Sequence, residues 1–431
     1  MGEDRLNADW TPGSREAAPH RSTAAPMSAP AGAPVLAGWL DQASPNSVTG
    51  WAADTARPDA PVTLAFFING EKVTVATCDK PRADAVAAGF AGARAFAVNL
   101  KPWLKDGSNA LEVRAESSGA VLPNGRQFVN VGRSAEIGGY WSTQYSQAST
   151  YTTRWWECDY IVKRINRNVC GEALPGMSAG LHRVAAERFA DRLPFARGVS
   201  IGCGTGSKER HVIRSGLVEH FTLFELSSVA VEQGRMQAEQ HGLARNMTFR
   251  MEDGLTAETG EGVYDLVYWN NALHHMFDVR AALEWSRRVL RKGGVLLMDD
   301  FVGPDRMQWS DRLLDINTAV LTALPRDYLR HPMRPGFWIS PRAERSPVEA
   351  VIATDPSECV DSANILPELT RVFPDAWVRK TGGGIYHVAL NDVLHNVIAA
   401  QDYALLEKLL ELDDQCIEIG ETHYAVAIAV K

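Results

Sequence analysis

The sequence predicts an α/β domain built on a seven-stranded, mostly parallel sheet, preceded by a small all-β sandwich domain. Three observations carry this prediction. Between residues 35 and 125, short apolar runs alternate in period two and are broken by Gly and Pro. From residue 181 onward, strand-like apolar runs alternate with amphipathic helical stretches, the order of a parallel sheet covered on both faces. The first of those runs ends in "GVSIGCGTGSKE" (198–209), where a buried strand turns through three alternating glycines into a helix.

In chain order, residues 1–34 open the sequence as a disordered leader. Its stretch "AAPHRSTAAPMSAPAGAP" (17–34) holds seven Ala and four Pro and has nothing to bury. The all-β unit spans 35–125. Its segment "PVTLAFFINGEKVTVATCD" places Asn69-Gly70, the preferred dipeptide of a type I′ hairpin turn, between two strand-like runs. "RAFAVNL" and "NALEVRAES" alternate as half-buried strands do. Residues 126–180 form a connector or helical cap crowded with Tyr140, Trp141, Tyr145, Tyr151, Trp155, Trp156 and Tyr160. Such aromatics pack a helix against a neighbouring domain or roof a substrate site, and both readings stay open.

The α/β domain spans 181–431, with a helical lid insertion at about 305–345. After the amphipathic "LHRVAAERFADRLP", its strands are "GVSIG", "HFTLFEL", "NMTFRME", "YDLVYWN", "GVLLMDDF", "AWVRKT" and "HYAVAIAVK", the last two forming a closing antiparallel pair. Helical "VRAALEWSRRVLRKG" and "DYALLEKLLELDD" separate members of the series.

Composition narrows the function classes. The 431 residues carry a formal charge of -8, which argues against a nucleic-acid partner. The six cysteines are scattered without a C-x-x-C pair, the pattern of a reducing cytoplasm rather than a disulfide framework or zinc site. No apolar run approaches a transmembrane segment, and "MGEDRLNADW" has no signal-peptide core, so a cytoplasmic protein is expected.

The chemistry-bearing residues cluster at strand ends. Gly202, Gly204 and Gly206 permit a tight turn and let a cofactor approach the backbone. Glu225, at the end of the next strand, is placed to accept ribose hydroxyl protons. Asp253 follows the third strand, as a partner for an adenine amino group, and "NNALHHM" follows the fourth. Ligands bind at such strand ends in open α/β sheets. The loop is G-x-G-x-G, whereas a nicotinamide dinucleotide site more often reads G-x-G-x-x-G. One residue departs from the common pattern: Ser200 stands where many such loops carry a carboxylate. Glu209 lies three residues past the last glycine, either favouring the helix dipole or replacing that carboxylate.

The order "GCGTG", Glu225, Asp253, "NNALHHM", "LRKGGVLLMDDF" resembles the class I S-adenosylmethionine-dependent methyltransferases, whose domain is Rossmann-like. The resemblance implies S-adenosyl-L-methionine as cofactor, held by Gly202, Cys203, Gly204, Gly206, Glu209, Glu225, Asp253, Gly254 and Asn270. The pattern "S-x-G-C-G-x-G-x-x-E" is similar to a branch encoded with bacterial polysaccharide genes. "DDFVGPDRMQW", "DPSECVDSANILPEL" and "GGGIY" look like later signatures of that branch. The N-terminal unit resembles modules of bacterial surface-glycan proteins, often fused to glycosyltransferases, through "GWLD", "GWAAD", the Arg82–Asp84 pair and Leu104–Gly107. Trp39 and Trp51 in those motifs either pack the core or stack on sugars.

The resemblance implies an O-methyltransferase with a sugar, glycan or glycolipid acceptor and glycan-assembly proteins as partners; a small natural product or a non-catalytic scaffold are the alternatives. A hydroxyl acceptor needs a base. His274 or His275, supported by Asp300 or Asp299, is expected to serve, against the bland readings of a structural histidine and capping acids. No metal ligand is assigned; an ion on Asp299, Asp300 and a His is an open alternative. The lid's Trp309, Tyr328, Arg330, Arg334, Phe337, Trp338 and Arg342 are expected at the acceptor site or, equally, on a solvated surface.

Overall fold

The computed structural model describes residues 36–146 and 153–431. The leader (1–34) and Tyr151 lie outside the described residues. The N-terminal region contains eight strands: β1 (Leu36–Ala43), β2 (Val48–Asp54), β3 (Thr63–Ile68), β4 (Glu71–Thr77), β5 (Lys80–Pro81), β6 (Arg94–Val98), β7 (Gly107–Ala115) and β8 (Val121–Val131). They form two antiparallel sheets, in the orders β1-β2-β6-β5 and β4-β3-β7-β8. One apolar cluster, including Leu40, Val48, Leu64, Phe66, Phe96 and Val113, draws on both sheets. At the β3–β4 hairpin Asn69 and Gly70 have φ of 51° and 85°, the left-handed pair that a type I′ turn requires. β8 runs past residue 125, where the sequence reading ends the unit, because Gly107 to Arg114 pair with Val131 to Val121.

Two motifs of this region acquire structural reasons. Arg82 bonds both Asp41 and Asp84, tying the end of "GWLD" to the R-x-D pair. Trp39 and Trp51 are cross-strand partners in β1 and β2. Trp51 packs on Phe90 at 4.9 Å, but Trp39 is 48% exposed, so core packing does not account for it.

The C-terminal sheet comprises β9 (Phe195–Ile201), β10 (Val218–Phe224), β11 (Met247–Arg250), β12 (Tyr264–Asn270), β13 (Leu290–Phe301), β14 (Trp377–Gly382) and β15 (Tyr424–Val430). Their order is β11-β10-β9-β12-β13-β15-β14. The seven expected strands are all present, and β15 alone runs against its neighbours, inserted between β13 and β14. Every residue of β12 is buried, since helices cover both faces. Alternation along the strands divides the core: Trp269 and Met298 face one cluster, Tyr268 and Leu297 the other. The strand order reverses between β9 and β12, which opens the switch-point crevice at their C-terminal ends.

Three helices, Arg133–Ser146, Asp159–Cys170 and Ala179–Arg188, occupy the connector and the start of the α/β domain. The aromatics divide between two environments. Trp155 is buried against Tyr386 and Tyr424, at 4.9 Å from each, and joins a core shared with Trp309 and Leu313 of the insertion. Trp141 and Tyr145 instead lie over the switch point. The insertion contributes one regular helix, Asp311–Ala323, followed by a segment that exposes Met333, Phe337 and Trp338. Arg330 pairs with Asp327, and Arg326 stacks on Trp338 at 4.5 Å.

Candidate active site

The glycine turn explains its own composition. Gly202, Gly204 and Gly206 all have positive φ, at 64°, 57° and 68°, a conformation that strains any residue with a Cβ. Gly204 has a second reason: a Cβ there would lie 2.2 Å from the Tyr145 hydroxyl, and one on Gly254 would lie 2.7 Å from Ile201. Tyr145 is half-buried with its phenol against the loop, where desolvation pushes its pKa up. Cys203 is buried, and burial raises its thiol far above the ordinary value, so it lines the turn without reactivity.

Ser200 and Glu209 prove to be partners. Both are buried, and the Ser200 hydroxyl donates to Glu209 Oε1 at 2.7 Å. Glu209 Oε2 is buried with no hydrogen-bond partner. Burial pushes the Glu209 carboxyl above its usual range, only partly opposed by Ser200 and Lys208. The serine thus orients a carboxylate that reaches the loop from the following helix. A cation meeting Oε2 would relieve the cost of burial.

Glu225 accepts from Gly204 N at 2.8 Å and Ser227 N at 2.9 Å, bracing the loop with one bond per oxygen. Each oxygen keeps a lone pair for a ligand hydroxyl. Asp253 is held by the N-terminal region: Ser134 donates to its Oδ2 at 3.0 Å, and its amide donates to Ser108 Oγ at 2.7 Å. The helix Arg133–Ser146 also bonds through Ser142 to Ser227 at 3.1 Å. Sequence reasoning missed Ser108, Ser134 and Ser142, because serine is too common to signal a distant contact. Asn270 donates from Nδ2 to Ser178 Oγ and the Tyr268 hydroxyl, and its carbonyl accepts from Lys208 Nζ at 2.7 Å.

The histidines and acids separate by face. His274 Nδ1 lies 2.6 Å from Asp300 Oδ1. Asp300 also accepts from the amides of Ala272, Leu273, His274 and Phe301, so it is a buried anchor for the whole turn. Burial pulls the His274 imidazolium down, but Asp300's charge and hydrogen bond outweigh it, leaving its pKa above the ordinary value. Burial raises Asp300 in turn, and His274 more than offsets this, so its carboxyl stays below the usual range. Asp299 does not join them. Successive strand residues point to opposite faces, and Asp299 accepts from Ser178 at 2.6 Å on the other side, where burial raises its carboxyl to about 6. Asp299, Asp300 and a histidine therefore do not converge on a metal site.

His275 packs against His274 with ring centroids 4.1 Å apart and planes tilted by 40°, and meets the Trp141 ring edge-on at 5.4 Å. Burial, then the adjacent His274, push its pKa down to about 4. Asp355 and Glu358, from the "DPSEC" stretch to which sequence reading gave no role, lie beside the pair: His274 Nε2 is 3.9 Å from Glu358 Oε1, and His275 Nδ1 is 3.9 Å from Asp355 Oδ2. Among the described residues, no helix is long and apolar enough to cross a membrane.

Residues 198–328 match the family model of a methyltransferase domain. The chain is 25% identical over 128 residues to the ubiquinone/menaquinone biosynthesis C-methyltransferase UbiE of Ruegeria sp. (strain TM1040), covering 29% of this chain and 51% of that protein. It is 29% identical over 119 residues to the 27-O-demethylrifamycin SV methyltransferase of Amycolatopsis mediterranei (strain S699), covering 27% of this chain and 43% of that protein. It thus spans about half or less of the length of these curated relatives. A solved phosphoethanolamine N-methyltransferase 2 from Haemonchus contortus, in complex with S-adenosyl-L-methionine, aligns with a TM-score of 0.41 and 15% identity over 72% of this chain and 62% of that one.

Proposed function

We propose that this chain is an S-adenosylmethionine-dependent O-methyltransferase whose acceptor is a hydroxyl of a sugar, in a glycan, a glycolipid or an activated sugar. The reading rests on one juxtaposition: the His274–Asp300 pair stands at the same sheet edge as a glycine loop whose buried Glu209 keeps one oxygen free. That oxygen suits the ammonium of the cofactor's methionine end. Gly202, Cys203, Gly204 and Gly206 line that end, Glu225 takes the ribose hydroxyls, Asp253 and Gly254 border the adenine, and Asn270 closes the crevice from β12.

When bound, the cofactor supplies an electrophilic methyl group on a sulfonium. The side chains do the rest. His274 donates its Nδ1 proton in a hydrogen bond to Asp300, which leaves Nε2 to take the acceptor's hydroxyl proton. Asp300, fixed by four backbone amides, holds the ring and stabilises the imidazolium that forms. Tyr145 and Trp141 keep water from the crevice. Asp299 acts on the other face, positioning Ser178 and through it Asn270.

The sugar acceptor is supported by the signatures shared with polysaccharide-associated methyltransferases and by the exposed Trp39 of the N-terminal unit. We take that unit as a β-sandwich module from residue 35 to the end of β8, past the expected boundary at 125, joined by the connector up to residue 180 to a methyltransferase domain at 181–431, in a cytoplasmic enzyme working among glycan-assembly proteins. A hydroxyl of a small natural product is the second reading, favoured by the likeness to the rifamycin O-methyltransferase.

Calorimetric titration with S-adenosylmethionine, followed by transfer of labelled methyl to nucleotide sugars and glycolipids against a panel of small aglycones, separates these readings. Binding of one cofactor per chain is expected, weakened at least tenfold in Glu209→Gln, with label on the sugars. No binding at millimolar cofactor sinks the enzyme reading, and label on aglycones alone sinks the sugar reading.

A further inference from the structure

The segment Asp355–Cys359 has no part in the transfer scheme, yet it is held firmly over the two histidines. Val360 N bonds the His274 carbonyl at 3.3 Å, and Arg306 Nη1 donates to the carbonyls of Pro356 and Glu358 at 3.0 Å each. This fold-back gathers donor atoms of His275, Asp355 and Glu358 within 4.8 Å of one another. Asp355 is only 4% exposed. Its Oδ1 accepts from Ser357 N and Oγ, while its Oδ2 is buried without a hydrogen-bond partner and faces His275 Nδ1 at 3.9 Å. That separation is too long for a hydrogen bond.

A buried carboxylate oxygen left bare is costly, and a bound cation removes the cost. Ligands about 2.0–2.2 Å from a tetrahedral ion stand about 3.3 Å apart, so the 3.9 Å pair closes by about 0.6 Å and the wider spread, within 4.8 Å, by up to about 1.5 Å through side-chain rotation. Ser357 Oγ donates to Asp355 Oδ1 and therefore accepts from His275 Nδ1–H at 3.1 Å, so an ion taken by Nδ1 displaces that proton and its hydrogen bond. His274 Nδ1 is bonded to Asp300, and its Nε2 is turned toward Glu358.

We propose that His275, Asp355 and Glu358 bind one divalent metal ion of the zinc or manganese kind, beside His274 Nε2. Mixed imidazole and carboxylate donors suit these ions better than calcium, which takes six to eight oxygens. The ion stands next to the proposed base, where it draws in and polarises an acceptor oxygen. Only this last role rests on the methyl-transfer reading; the binding does not.

The test uses the full chain stripped with EDTA and titrated with MnCl2, ZnCl2 and CoCl2 by calorimetry, with the cobalt absorption spectrum as a second readout. One ion per chain is expected, with a spectrum of nitrogen and oxygen ligation. Asp355→Asn and Glu358→Gln should each weaken binding at least tenfold. Wild-type chain that binds less than one ion, or folded variants that bind as tightly as wild type, overturn the site. The cobalt spectrum on wild type decides the matter even where a variant fails to fold. The same stripped samples are titrated with S-adenosylmethionine. Cofactor binding without metal binding overturns the ion alone, and metal binding without cofactor binding overturns the enzyme reading alone.

Discussion

Ser200 and Glu209 show how a single-residue departure is resolved in three dimensions. Ser200 ends β9 where a carboxylate is common, and its hydroxyl donates to Glu209 Oε1, a carboxylate from the first turn of the next helix. The His274–Asp300 pair is the residue-scale feature with the clearest pH signature. As a base His274 must be neutral, and Asp300 raises its pKa, so for the metal-stripped chain the acid limb of kcat/KM is expected above about pH 6.5. Asp300→Asn should move that limb down and lower kcat by about 10²–10⁴. A pH–rate profile with an unchanged limb would refute the pairing. The stability signs follow from the same shifts. The raised His274 contributes fully below its unfolded value of about 6.5, and the contribution is lost as pH rises through the folded pKa. The depressed Asp300 contributes above about 3.9, and its share is lost as pH falls through its folded pKa. The pair therefore stabilises most between roughly pH 4 and 6.5.

Among the elements, the helix Arg133–Ser146 changes the picture of the site most. Its small residues allow close approach to the loop after β10: a Cβ on Gly138 would meet the Leu226 carbonyl at 2.6 Å. Ser134 and Tyr145, at either end, reach Asp253 and Gly204. Gly138→Leu should lift this roof and raise the cofactor Kd at least tenfold, with far-ultraviolet circular dichroism unchanged. Unaltered affinity would show that the helix does not close the site. The aromatic crowding of 126–180 was visible in the sequence, but a one-dimensional count has no means to sort Trp155, packed on Tyr386 and Tyr424, from Trp141, set against His275. The strands β9 to β13 were legible because each is a continuous apolar run between glycine or charged breaks.

At the scale of the whole molecule, the N-terminal region and the α/β sheet meet at the crevice itself, through Ser108 and Ser134 on Asp253. Ligand there should stabilise the chain as linkage requires: cofactor at 100 times its Kd adds about 2.7 kcal/mol, read as a rise in Tm of several degrees. A Tm indifferent to saturating cofactor would contradict a site in this crevice. Local pattern was enough for the α/β class, the seven strands, the glycine turn and the strand-end positions of Glu225, Asp253 and His274, because hydrophobic period and backbone conformation act over a few residues. It was not enough to choose Asp300 over Asp299, to join Ser200 to Glu209, or to bring Asp355 and Glu358 to the histidines. Those pairings depend on which face a strand presents and on contacts between segments up to 84 residues apart, as for Glu358 and His274. Such contacts exist only once the sheet has been assembled, and no local signal encodes them.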